Sequence, residues 1–343
     1  MKTVYSDLHG LQDAEAEFIR GKRVPSFEGP RRAELVLARV KEAFGLESVL
    51  ERREFGLQPL LEVHDERMVS FLSDFWPRWS EENGAVDAFP NAWPPPRAHR
   101  RQTQRIGAEL GRFCVDMSSP LMEGTWRAVS AGADVALTAQ ALVSAGDRAA
   151  FALCRPPGHH AGRDYFGGYC FLNNAAIAAQ SFIDQGASRV AVLDVDYHHG
   201  NGTQDIFYDR GDVLCVSIHA DPTKEYPYYL GYADETGEGP GADANCNLPL
   251  PWGSDYATYG EALVAGVSRI KQFGAEAVVI SLGVDTFESD PISRFKLRSD
   301  DFLYLGKTIA KLNLPTVFVM EGGYAVEAIG LNVVNVLSGF ENA

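Results

Sequence analysis

The 343 residues carry 46 acidic against 31 basic side chains, a formal charge of −15, so nucleic acid is not expected as a partner, because its phosphates select basic surfaces. Five cysteines include no pair at zinc-finger spacing, and no apolar run approaches the roughly 20 residues that span a bilayer, which excludes a structural zinc module and a membrane helix. No Ser/Gly linker, internal repeat or low-complexity tract divides the chain, so one α/β domain over residues 1–343 is expected.

Residues 1–10 lack the apolar run of a secretory signal. Cys154, Cys170 and Cys215 fall in apolar contexts, which suits reduced core thiols and a cytoplasmic location. Residues 79–123 break the alternation of strand and helix patterns, with Pro90, the run Pro94-Pro95-Pro96, and Arg97, Arg100, Arg101 and Arg105. A long irregular stretch in a compact domain is usually functional, and a subunit contact or solvated loop is expected here rather than a nucleic-acid patch. Helical periodicity covers 125–145 and stops at Gly146.

The apolar run 149–154 then leads into Arg155-Pro156-Pro157-Gly158-His159-His160. Burying two adjacent imidazoles demands partners for four ring nitrogens, so this pair signals chemistry. A helix over 173–185 starts on an amide cap and stops at Gly186. The β-branched run 190–193 opens into Asp194-Val195-Asp196-Tyr197-His198-His199-Gly200-Asn201-Gly202. Alternate strand residues share a direction, so Asp194, Asp196 and His198 would converge beyond a carboxyl end, where open α/β sheets bind ligands. The glycines of 237–241 follow no strand pattern and are rejected as a dinucleotide loop. A helix over 255–273 precedes the strand 277–282, which ends in Gly283-Val284-Asp285. A last helix–strand pair, 300–312 and 316–320, ends in Glu321-Gly322-Gly323-Tyr324. Asp196, His198 and Asp285 would make an open three-ligand site, the form of a catalytic rather than a structural metal centre.

These motifs resemble the arginase–deacetylase superfamily and, within it, the histone deacetylase-like amidohydrolases, nearest to the bacterial acetylpolyamine amidohydrolases. The closer resemblance rests on Phe166-Gly167-Gly168-Tyr169-Cys170-Phe171-Leu172-Asn173-Asn174-Ala175-Ala176, on Asp285-Thr286-Phe287-Glu288-Ser289-Asp290-Pro291-Ile292-Ser293 and on Glu321-Gly322-Gly323-Tyr324. It implies an open, mostly parallel sheet of roughly eight strands with helices on both faces. It implies zinc or iron(II) on Asp196, His198 and Asp285, catalysis by His159, His160 and Tyr324, and support from Asp194 and Asn201. Gly168, Tyr169 and Tyr226 would line a narrow tunnel. Structural potassium is implied at Asp194, Asp196, His198, Ser217 and Ile218, with a second such site at Phe207, Arg210 and Val213.

The activity implied is hydrolysis of an acetyl amide on a slender amine such as acetylputrescine or acetylcadaverine. The partner would be that small molecule, and the enzyme a homodimer in which 79–123 forms contact and lid. Protein-lysine deacetylation is the alternative if the mouth is open; a silent acetyl-amine binder is a third reading. An arginase-type ureohydrolase shares the fold, but the histidine pair and Tyr324 argue against it. The chain departs from its resemblance at Ser118, where an acid facing the distal ammonium is expected; Asp116 and Glu109 are the nearby candidates.

Overall fold

The computed structural model describes residues 1–95, 98 and 103–343. In chain order its strands are β1 (Lys2–Tyr5), β2 (Ala16–Ile19), β3 (Lys22–Pro25), β4 (Val49–Glu51), β5 (Ala149–Ala152), β6 (Val190–Asp194), β7 (Val213–Ala220), β8 (Asn245–Leu250), β9 (Ala277–Leu282) and β10 (Thr316–Met320). Eight of them form one sheet in the order β4-β1-β5-β10-β9-β6-β7-β8, and β2 and β3 make a separate hairpin. Every neighbouring pair in the large sheet is parallel. Parallel neighbours need long crossovers, and helices supply them.

The period-two alternation of strands sorts side chains to the two faces. Val192, Val279, Val317 and Val319 pack into one buried cluster. Their chain neighbours Leu193, Ile280, Phe318 and Met320 pack into the other. Both faces are therefore core, which explains why these strands read as unbroken apolar runs.

The expected helices are present with shortened ends: Thr125–Ser144, Asn174–Asp184, Tyr256–Phe273 and Asp301–Ala310. Asn173 and Asp255 stand outside their helices as caps, accepting from the backbone N–H of Ala176 and Thr258. The described residues of 79–123 are less irregular than the prolines imply. They begin inside the helix Glu66–Asn83, include the helix Ile106–Phe113, and are closed by a bridge between Ala88 and Leu121. Trp79, Ile106 and Leu110 are buried in the core, and that apolar anchoring outweighs the local proline content. Arg97, Arg100 and Arg101 lie outside the described residues, while Arg105 pairs with Glu82 at 3.4 Å.

The four central strands β5, β10, β9 and β6 are consecutive in the sheet. Their carboxyl ends carry, in that order, the histidine pair, Tyr324, Asp285 and Asp196–His198. Motifs more than a hundred residues apart in sequence are thereby delivered to one rim.

Candidate active site

Asp196, His198 and Asp285 each offer a ligand atom, and these atoms lie within 4.8 Å of one another. His198 Nδ1 stands 3.0 Å from Asp285 Oδ2 and 3.3 Å from Asp196 Oδ1. Both carboxylates are fully buried. Their remaining oxygens are held in place: Asp196 Oδ2 accepts from Gly322 N–H at 2.8 Å, and Asp285 Oδ1 from Tyr197 N–H at 2.8 Å. Gly322 is required here, since a Cβ would come within 2.5 Å of Asp196 Oδ2 and 2.7 Å of Asp285 Oδ2. Burial followed by the Asp196 charge pushes Asp285 up to about 8. Burial also works to raise Asp196, but His159 and His198 outweigh it and hold that carboxyl below its usual range. Two acids converging without solvent repel each other unless a cation stands between them. This set of three oxygen and nitrogen donors, one short of a closed tetrahedral site, fits a catalytic divalent metal.

The tandem histidines stand beside it, ring centroids 4.0 Å apart, with His160 6.0 Å from His198. His159 Nδ1 faces Asp194 Oδ2 at 2.9 Å, and His160 Nδ1 faces Asn201 Oδ1 at 2.7 Å. The Asn201 amide is oriented in turn by donating to the Tyr165 hydroxyl at 3.1 Å. With Asn201 Oδ1 as acceptor, His160 must donate from Nδ1, which leaves Nε2 as the basic nitrogen. The two rings differ in charge. Burial pulls His159 down, yet Asp194 and Asp196 overcome it and raise it to about 10. Burial and the charges of His159 and His198 drive His160 well below its ordinary value.

Tyr324 is buried against Tyr169, centroids 5.5 Å apart, with the Arg32 guanidinium 4.7 Å from the centre of its ring. Its backbone N–H donates to Asp290 Oδ2 at 2.6 Å. Tyr226 stands edge-on to His160 at 4.9 Å. Between these rings runs Gly168, at φ +57, where a Cβ would lie 2.4 Å from His160 Cδ2. Gly168 and Tyr226 therefore gather at His160, while Tyr169 packs on Tyr324.

Asp116 binds this wall together. Its Oδ2 accepts from Gly168 N–H at 2.7 Å and from the Tyr226 hydroxyl at 3.0 Å. Its Oδ1 accepts from the backbone and hydroxyl of Ser118 at 3.0 and 2.9 Å. Glu109 ion-pairs with Arg78 at 2.5 Å. Of the residues matched to potassium, Asp194 and Ser217 border a cavity of about 10 Å³. The Ser217 hydroxyl also contacts His219 Nδ1 at 2.8 Å. At the second position Arg210 stacks over Phe207 and pairs with Asp212 at 2.6 Å, just before Val213.

Several residues of the site carried no signal in the sequence. Glu28 accepts from Arg32 at 2.7 Å and from Arg155 at 2.9 Å, and all three are buried. Only the i, i+4 spacing of Glu28 and Arg32 was available as a hint. Glu17 on β2 is fully buried, and its carboxyl is raised by burial and restrained by the Tyr169 phenol. Asp290, which fixes the Tyr324 backbone, sits within the motif that marked the resemblance, but its contact spans 34 positions.

A parallel α/β sheet carries at its carboxyl rim an Asp–His–Asp cluster and, beside it, a tandem imidazole pair, a set suited to metal-assisted hydrolysis. The histone deacetylase domain model matches residues 26–340, and the chain belongs to that family. It is an enzyme of a metal-dependent deacetylase family. Among its relatives, acetylpolyamine amidohydrolase 2 of Pseudomonas aeruginosa is 55% identical over 341 residues, covering 99% of each chain. Acetylpolyamine amidohydrolase of Mycoplana ramosa is 50% identical over 339 residues, again covering 99% of each. The crystal structure of an acetylpolyamine aminohydrolase from Burkholderia pseudomallei matches with a TM-score of 0.94 at 41% identity, covering 99% of this chain and 98% of that one. The family and fold expected from the sequence are both borne out. Among the described residues, no helix is long and apolar enough to cross a membrane.

Proposed function

We propose that this chain is a metal-dependent amidohydrolase that removes acetyl groups from acetylated polyamines and diamines, releasing acetate and the free amine. The observation that carries the reading is the placement of His160, its Nδ1 committed to Asn201, beside the Asp196–His198–Asp285 cluster. Full-length similarity to acetylpolyamine amidohydrolases supports the substrate class.

Asp196, His198 and Asp285 would hold zinc or iron(II), which supplies Lewis-acid activation of water and of the amide carbonyl. His160 takes the proton of the attacking water at Nε2 and later delivers it to the leaving amine. His159, charged and anchored by Asp194, stabilises developing negative charge from one side. The Tyr324 hydroxyl donates to the oxyanion. Tyr169 and Tyr226 enclose the methylene chain of the amine, and residues 79–123 narrow the mouth and contribute a dimer contact. Asp194, Asp196, His198, Ser217 and Ile218 hold potassium in this reading, a role that rests on resemblance and on the small cavity at Asp194 and Ser217.

The test is a set of specificity constants for acetylputrescine, acetylcadaverine, acetylspermidine and an acetyllysine peptide on one preparation. Chelation should abolish turnover, and Zn²⁺, Co²⁺ or Fe²⁺ should restore it. An acetyllysine peptide preferred over every acetylated amine would overturn the substrate assignment in favour of a protein deacetylase. Urea released from a guanidino substrate would indicate a ureohydrolase.

A further inference from the structure

We propose, resting on the amidohydrolase reading above, that Glu321 is a positioning residue for the histidine pair. Its carboxylate fixes the backbone of Gly158 and His159, and so sets where the imidazoles stand relative to Asp196, His198 and Asp285.

The need for such a residue follows from the topology. β5 and β10 are hydrogen-bonded neighbours, but regular pairing stops where their loops begin. The peptide N–H groups of Gly158 and His159 are buried in a loop without ladder partners, and buried N–H groups must be satisfied. Glu321 Oε2 accepts both, at 2.6 Å from Gly158 and 3.1 Å from His159. On the opposite side, the His159 carbonyl accepts from Gly202 and Thr203 at 3.0 and 3.3 Å. These two residues belong to the helix Asn201–Phe207, whose first residue also holds His160 Nδ1. The two peptides flanking the His159 Cα are thus clamped, one from each side, and the His160 ring is held by one of the same supports. Glu321 is itself immobile: it is fully buried, its N–H donates to Leu282 and its carbonyl accepts from Arg32 at 2.6 Å.

Among the described residues Oε1 has no hydrogen-bond partner, and the carboxyl lies within 4.8 Å of a His159 ring nitrogen and Cys170 Sγ. That trio is not a second metal site, because burial lifts the Cys170 thiol well above its usual value and keeps it protonated, whereas metals bind the thiolate. Burial raises Glu321 to about 7. When the proton is present it belongs on Oε1, and Oε2 remains the acceptor of both N–H groups in either state. A glutamine can reproduce this arrangement with its amide oxygen at the Oε2 position.

The experiment compares Glu321→Gln with Glu321→Ala in the metal-loaded enzyme. Should the alanine variant fail to fold, Glu321→Met keeps the volume without an acceptor. E321A is expected to lower kcat at least about tenfold, a fraction of the ~10²-fold cost of an ångström misplacement, with KM and metal content unchanged. E321Q is expected to stay within about threefold of wild type. Independently of turnover, amide exchange in ¹⁵N-labelled protein should show Gly158 and His159 protected in wild type and E321Q, and exposed in E321A. Wild-type kcat or undiminished protection in E321A overturns the proposal, as does an E321Q as impaired as E321A. If the wild type hydrolyses no acetylated amine, the amidohydrolase reading fails, while the exchange measurement still decides whether Glu321 holds the loop.

Discussion

Adjacent in sequence and 4.0 Å apart in space, His159 and His160 are held in opposite protonation states. The difference comes from Asp194 and Asp196, which raise His159 against its burial, while burial and the charges of His159 and His198 lower His160. Because His160 is depressed, its basic form is already present at neutral pH, and activity depending on it is lost only as pH falls below the ordinary range of histidine. The acid limb of kcat/KM should therefore lie below about pH 6.5. Removing the proposed oxyanion donor by Tyr324→Phe should lower kcat at least about a hundredfold, since one such donor is worth roughly 3–4 kcal/mol, while substrate affinity and metal content stay close to wild type. His160→Ala should be more damaging still. Steady-state kinetics with parallel metal analysis checks both, and a Y324F variant with near-normal kcat would remove Tyr324 from the chemistry.

At the scale of elements, loops beneath the rim are joined by buried neutral groups. His64 receives the Asn173 N–H at Nε2, 2.9 Å away, and its Nδ1 stands 2.8 Å from the Gly162 carbonyl. That geometry admits only the neutral ring with its proton on Nδ1. Burial lowers its pKa to about 4, and burial likewise lowers His9 and His219 to about 4. The unfolded chain, with histidines near 6.5, binds more protons than the folded one between these values. The contribution of these three histidines to folding stability is therefore fully present above pH 6.5 and is lost as pH drops towards 4. Urea denaturation midpoints across that window should decline, and His64→Gln should flatten the decline. The slope is the readout, so a uniform loss of stability in the variant does not obscure it; an unchanged slope would mean His64 does not titrate as argued.

At the scale of the whole molecule, the charge of −15 sets up a field that draws cations towards the surface. An acetylated diamine keeps a distal ammonium, whereas Asp116 beside Gly168 and Tyr226 has both oxygens occupied by neighbouring groups and Glu109 is paired with Arg78. Attraction should then be diffuse rather than a single contact. Raising ionic strength should increase KM for acetylcadaverine several-fold, because exposed charges more than about 10 Å apart are screened at 0.1 M salt. A neutral acetylated alkylamine of similar length, assayed beside it, should show little change. Equal salt responses for the two would show that net charge does not steer the substrate.

By itself the sequence determined the four central strands, four of the helices and the clusters of acids and imidazoles at the strand ends. Both faces of the central strands are core, so they read as continuous apolar runs, and the polar residues that interrupt them stand out as ligands and bases. Asp194, Asp196, His198 and Asp285 were legible for that reason. The roles of Glu28, Glu17, Asp290 and Glu321 were not. Each is a buried acid whose partner is a backbone or side-chain group brought near by the fold, from the four-residue step between Glu28 and Arg32 to the 163 positions between Glu321 and Gly158. The boundary of 79–123 failed similarly, since prolines advertise a break while the burial of Trp79, Ile106 and Leu110 depends on what they pack against. Local pattern reports what a strand must bury; only the closed sheet decides which buried charges meet, because burial in low dielectric makes each partner compulsory.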